Sequence, residues 1–298
     1  MYPESDMSDN IRFGIHVGTE GWNFEKVKNF CIEAETLGFD FFTDMDHLMN
    51  QWDPQGEGPL ECWTTLAGLP AVTNKIKLGP LVSCYGYHRP TMLAKMATTI
   101  DIISNGRLIF GLGAGWHETE FKGFTGRFPS TRERMRGLEE SLEICKSMFS
   151  NEWTTYHGRI YEVDNVQNKP QPVQRHIPIM VGGAGEKRTL RIAAKHADIS
   201  HFLSQGSIEE NARALFITLQ PRRGVWSGGA AGSGYVLQLE GRVLTTYPSP
   251  VTQCALFDDF ILTLRVRSYC LYAGASLFFD VMSESCNLKA LPSPTFNI

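Results

Sequence analysis

The 298-residue sequence has no uninterrupted apolar run of about 18 residues, so no membrane-spanning helix is expected. It lacks any C-x-x-C spacing. Its seven cysteines, at 31, 62, 84, 145, 254, 270 and 286, are scattered and odd in number, which argues against a disulfide framework and a structural zinc site. N-x-S/T acceptors are also missing. There is no excess of positive charge either. The formal net charge is −4, without the clustered basic surface that nucleic-acid binding requires. The opening MYPESDMSDN is acidic and polar, unlike a secretory or transit peptide, and reads as a disordered tail over residues 1–10. A cytoplasmic protein with no membrane or nucleic-acid partner is the expectation.

Familiar catalytic signatures are missing as well. No G-x-S-x-G elbow, no H-E-x-x-H pair and no Gly-Lys-Ser/Thr phosphate loop occurs. The 111–115 segment is G-x-G-x-G and lacks the third glycine of the dinucleotide fingerprint. No metal site is expected among the eight histidines.

What is present is alternation. Apolar runs at 12–17, 39–43, 77–83, 108–112, 177–181 and 198–203 read as strands. Between them, residues 22–37, 60–73, 90–103, 131–149 and 186–195 read as helices. Successive β–α units imply parallel strands joined by right-handed crossovers, hence a doubly wound sheet or a barrel. Residues 154–163 alternate around His157 and Gly158 and predict a surface hairpin before strand five. Beyond residue 217 the pattern degrades; 243–247 is read as strand seven and 276–281 as strand eight.

In such folds ligands gather at the carboxyl ends of the strands. Those ends here carry Asp46 and His47 after strand two, with Trp52 following, and Gly113, Ala114, Gly115 and Trp116 after strand four. After strand five come Gly182, Gly183, Ala184 and Gly185, followed by Lys187 and Arg188. A glycine-rich turn opening a helix offers unpaired N–H groups to an anion, with the two cations adding charge. An ordinary strand-to-helix turn explains the same glycines. Pro80, inside the third strand, lacks the N–H a central strand needs and predicts a bulge there, a backrest for a planar ring.

The segments RFGIH, LGFD, Asp46-His47, LGPLVS, HRP, SNGRL, GLGAGW, KPQPVQ and VGGAGEKRTL, in this order, resemble the bacterial-luciferase-like monooxygenase superfamily. The likeness is strongest to its branch of coenzyme F420-dependent oxidoreductases. It implies an α/β (β/α)8 TIM barrel spanning residues 11–298 as one domain, with 217–262 atypical. It also implies a flavin or deazaflavin ring against Gly79, Pro80 and Leu81, flanked by Gly113–Trp116, with its phosphate on residues 182–185 and Lys187. Asp46, His47 and Trp52 would face the ring, Asp46 orienting His47. Sugar-phosphate dehydrogenases of the group carry a glutamate where this chain has Trp116, which argues against their substrate and proton donor.

The expected activity is hydride transfer between coenzyme F420 and a small organic substrate. The alternative is an FMN-dependent two-component monooxygenase fed by a separate reductase. A third reading is a non-catalytic or misassembled relative. Relatives of this kind imply a homodimer.

Overall fold

The computed structural model describes residues 12–203 and the strand segments 234–239, 252–257, 260–265 and 275–282. Strands β1 (Arg12–Val17), β2 (Phe41–Asp44) and β3 (Lys77–Pro80) lie side by side and parallel. β3 stops at Pro80 and the strand resumes as β4 (Ser83–Cys84), which pairs with β5 (Phe110–Gly113). The expected interruption at Pro80 is therefore present, and the peptide between Leu81 and Val82 is cis. A bridge between Leu78 and Leu108 also brings the first half beside the start of β5. Parallel pairing then runs from β5 to β8 (Ile179–Gly182), β9 (Ile199–Leu203) and β10 (Gly234–Leu239).

The last strand of this sheet departs from expectation. β13 (Ala275–Met282) pairs with both β1 and β10, and antiparallel to each. It fills the eighth place in the strand order but runs against the direction that a (β/α)8 repeat requires. The seventh place is held by β10. Residues 243–247, expected there, lie outside the described residues, as does the tail 1–10. β11 (Thr252–Phe257) and β12 (Phe260–Arg265) form a separate antiparallel pair inside the atypical stretch.

Helices α1 (Phe24–Thr36), α2 (Cys62–Gly68), α3 (Pro90–Ile103), α4 (Glu118–Thr125), α5 (Thr131–Ser150) and α6 (Thr189–His196) complete the described elements. Their ends are specified locally. Asn23 caps α1 by accepting the Lys26 N–H, and Pro90 opens α3 where its missing N–H costs nothing. Ser130 and Glu133 form a reciprocal capping box on α5. The hairpin β6 (Trp153–His157) with β7 (Glu162–Gln167) precedes β8 as expected. Glu140 of α5 holds its turn by accepting the N–H groups of Arg159, Ile160 and Tyr161.

Two apolar layers result. Between sheet and helices, Trp63, Phe110, Leu93, Leu138 and Leu142 are essentially water-free. Inside the sheet's concave face a smaller cluster joins Phe41, Leu81, Ile109 and Met180. The amino-terminal end of the strands is closed by hydrogen bonds. Arg107 donates to the carbonyls of Pro70, Thr73, Ile76 and Ser104, and Glu35 accepts the N–H groups of residues 74–76. Two of the buried polar atoms without a partner among the described residues, on Asp44 and Asp46, lie at the opposite end.

Candidate active site

The carboxyl ends of β2, β4 and β5 converge on a single carboxylate, Glu120, on the first turn of α4. It is fully buried. One oxygen accepts the backbone N–H groups of Leu48 and Met49; the other accepts the Tyr87 hydroxyl at 2.6 Å and stands 2.8 Å from His47 Nδ1. Burial pushes the carboxyl upward, but the hydrogen bonds from His47, Tyr87 and Leu48 outweigh it and bring the pKa down to about 2. An ionised Glu120 accepts only, so His47 Nδ1 carries its proton toward it and Nε2 is left for other work.

The pairing of Asp46 with His47 does not form. Asp46 accepts instead from the Ser83 hydroxyl at 2.6 Å and the Cys84 N–H at 2.9 Å, while the Trp63 indole donates to Ser83. Consecutive residues leaving a strand point apart, and Asp46 turns inward to β4. Its second oxygen is buried without a partner among the described residues, as is one oxygen of Asp44. Sequence reasoning missed Glu120 because it missed α4, a short helix with polar ends directly after the GLGAGW loop.

Around His47 the aromatic neighbours are Trp116, with ring centroids 5.7 Å apart, and His117 at 6.3 Å, both edge-on. Trp116 is 62% exposed and so faces the opening. Trp52 is 81% exposed on the loop after β2 and has no ring contact among the described residues. The structure brings His47 and Trp116 together, turns Asp46 toward β4, and leaves Trp52 exposed on the loop after β2.

Gly79 backs onto the Ile109 carbonyl, Pro80 is buried, and Leu81 packs down into the inner cluster. Val82 is half-buried and packs against the same cluster. Its methyl group lies 2.6 Å from where a Cβ on either Gly113 or Gly182 would stand, so those two glycines make room for valine. Ala114 and Gly115 continue the loop half-buried, toward Trp116.

In the turn after β8, the Gly183 N–H is already given to the His201 carbonyl. The backbone N–H groups of Ala184, Gly185 and Lys187 have no hydrogen bond among the described residues, and residues 183–188 are exposed. The helix starts at Thr189, three residues later than its pattern predicts, which lengthens the open turn.

Beneath the mouth the titratable groups are set by burial. Burial, then the charge of His201, pulls His16 down to about 3, so it is a neutral imidazole at physiological pH. Burial raises Asp44 to about 7 despite hydrogen bonds from Thr19 and the Met45 N–H. A carboxyl whose pKa is raised on folding stabilises the fold fully below its ordinary 3.8, and that contribution is lost as pH rises through about 7. We expect urea midpoints between pH 5 and 8 to fall by an amount worth about 1–3 kcal/mol, and Asp44→Asn to flatten that slope. Burial likewise raises Cys31 and Cys84 to about 12, which argues against thiolate chemistry at either.

The profile of the luciferase-like monooxygenase family matches residues 6–218. The chain belongs to the luciferase-like monooxygenase family. Among curated relatives, the uncharacterised protein Rv0953c of Mycobacterium tuberculosis is 35% identical over 139 residues, 47% of this chain and 48% of its own. The pyrimidine monooxygenase RutA of Caulobacter segnis is 31% identical over 224 residues, covering 70% of this chain and 61% of that protein. An F420-dependent glucose-6-phosphate dehydrogenase of Microbacterium testaceum is 28% identical, covering 64% and 56%. The chain thus spans about half to three fifths of the length of these family members.

Solved structures share the fold. An F420-dependent secondary alcohol dehydrogenase superposes with a TM-score of 0.60 at 19% identity, covering 68% of this chain and 63% of its own. The FMN-bound oxygenating constituent of 3,6-diketocamphane monooxygenase from Pseudomonas putida gives 0.56 at 19%, covering 65% and 56%. Among the described residues, no helix is long and apolar enough to cross a membrane.

Proposed function

We propose that this luciferase-like chain is an oxidoreductase that binds a flavin-type ring at the carboxyl end of its strands and uses His47 as the acid–base group. The observation that carries the reading is the His47–Glu120 pair at a rim that also bears an exposed Trp116 and an open glycine turn. The residues fit such a cofactor. Val82 offers an apolar edge to a planar ring, and the unbonded N–H groups of Ala184, Gly185 and Lys187, with the Lys187 ammonium, suit a phosphate. The bound ring supplies the two-electron chemistry; the protein supplies orientation and a proton. His47 Nε2 takes or gives that proton while Glu120 fixes the tautomer. Asp46 holds the third strand at Ser83 and Cys84 and so sets the height of Val82.

The reading includes a closed eight-place barrel, completed by the antiparallel β13. Relatives named as monooxygenases are at least as near as those named for F420, which favours FMN-dependent oxygenation fed by a separate reductase. Hydride transfer with F420 is the second reading. A fluorescence titration with FMN and F420, oxidised and reduced, tests the shared claim. Saturable binding of at least one supports it, and oxygen uptake with reduced FMN selects oxygenation. Absence of binding by all four species favours a non-catalytic relative.

A further inference from the structure

Two carboxylates and an imidazole meet where the end of α6 packs on α5. Glu139 and Glu143 stand one turn apart on α5, and His196 is the last residue of α6. One oxygen of each carboxylate and the histidine Nε2 all lie within 4.8 Å of one another. Nε2 is 3.3 Å from the Glu139 oxygen and 3.7 Å from that of Glu143. Bonds of about 2.0–2.1 Å to a tetrahedral metal set its ligand atoms about 3.4 Å apart. Both histidine–carboxylate separations are already close to that.

An ordinary ion pair accounts for part of this cluster. Lys195 bridges the two carboxylates at 2.7 and 3.1 Å, which alone would hold α6 to α5. It leaves His196 unexplained. That side chain is only 6% exposed, and its ring has no hydrogen-bond partner beyond these carboxylates among the described residues. Lys146 reaches the His196 carbonyl and not the cluster. The other oxygen of Glu143 accepts the Tyr156 hydroxyl at 2.7 Å, which turns the first toward His196. Metal-binding carboxylates are commonly oriented by an outer hydrogen bond of this kind. Two glutamates four residues apart also repel along the helix, and a divalent ion between them offsets that cost.

We propose that Glu139, Glu143 and His196 bind a divalent transition metal of the zinc type. Carboxylate with imidazole suits Zn²⁺ and not Mg²⁺, which keeps an octahedral shell of oxygens. Three protein ligands leave a fourth position for water. Lys195 is the cation that holds the carboxylates when no metal is bound, and it swings into solvent when one is. The bound ion clasps the end of α6 to α5. Its ligands come from two helices, so no spacing in the sequence reports them.

The test is a calorimetric titration of the untagged, chelator-treated full chain with Zn²⁺, with Mg²⁺ for comparison. One equivalent of Zn²⁺ binds the wild type saturably, and Mg²⁺ binds at least about tenfold more weakly. His196→Ala weakens Zn²⁺ binding by about 10–100-fold. Lys195→Ala tightens it by about three- to tenfold, because the metal no longer displaces two ion pairs. Glu143→Gln is close in shape and half-exposed; it weakens binding as His196→Ala does and carries the test if the alanine variant does not fold. Wild-type affinity retained in the ligand variants places the ion elsewhere and overturns the proposal. So does a wild type without saturable Zn²⁺ binding, or a Lys195→Ala affinity no tighter than that of the wild type.

Discussion

Glu120→Ala lowers the stability of the folded chain by about 3–5 kcal/mol, read from urea denaturation at pH 7. The size follows from what the carboxylate holds. It accepts from two backbone N–H groups, a phenol and an imidazole in a site closed to water, and alanine leaves all four donors without it. Each orphaned buried donor costs about 1–3 kcal/mol, partly recovered by relaxation of the loop after β2. Acid has the same effect in the wild type. A carboxyl lowered from 4.5 to about 2 contributes stability above its ordinary value and loses it as pH falls toward 2. The acid limb of the wild-type stability curve between pH 4.5 and 2 is therefore shallower in the alanine variant. A loss under about 1 kcal/mol would show that the three loops do not depend on this carboxylate.

His47→Ala lowers turnover by about 10²–10⁴-fold and changes cofactor affinity by less than about twofold. Loss of an acid–base group removes transition-state stabilisation and little ground-state binding. The assay follows reduced-cofactor turnover with carbonyl or unsaturated substrates, beside a direct titration. Glu120→Gln is the informative companion. Its amide can still accept the Leu48 and Met49 N–H groups, but the amide nitrogen turned toward His47 donates. Nδ1 must then accept, and the proton moves to Nε2, the wrong tautomer for a base. The fold survives while turnover falls, and cofactor affinity again stays put. Equal turnover in His47→Ala removes His47 from the chemistry.

Much of this was legible in the sequence, for identifiable reasons. α3 matches its predicted span because Pro90 marks its start and its apolar face repeats at helical spacing. The interruption at Pro80 followed from a missing donor in a central strand. Other features are not encoded locally. Nothing in a run such as SLFFDV reports direction, so the antiparallel course of β13 could not be read from an apolar pattern. The His47 partner lies 73 residues away, and adjacency in sequence pointed to Asp46. Val82 rather than Leu81 stands against Gly113 and Gly182 because alternation along an interrupted strand is lost at the break. The 182–185 turn kept its candidacy but lost one donor, Gly183, to the His201 carbonyl.

The central claim is that a flavin-type ring sits beside His47 with its phosphate on the turn after β8. Imidazole ¹H–¹⁵N spectra recorded through a cofactor titration address it directly, with His47 assigned by the His47→Ala spectrum. The account predicts that the His47 resonances move with the same half-saturation as the fluorescence change, while those of His176, paired with Asp198 at the amino-terminal end of the strands, stay fixed. Saturable cofactor binding that leaves His47 unmoved would contradict it.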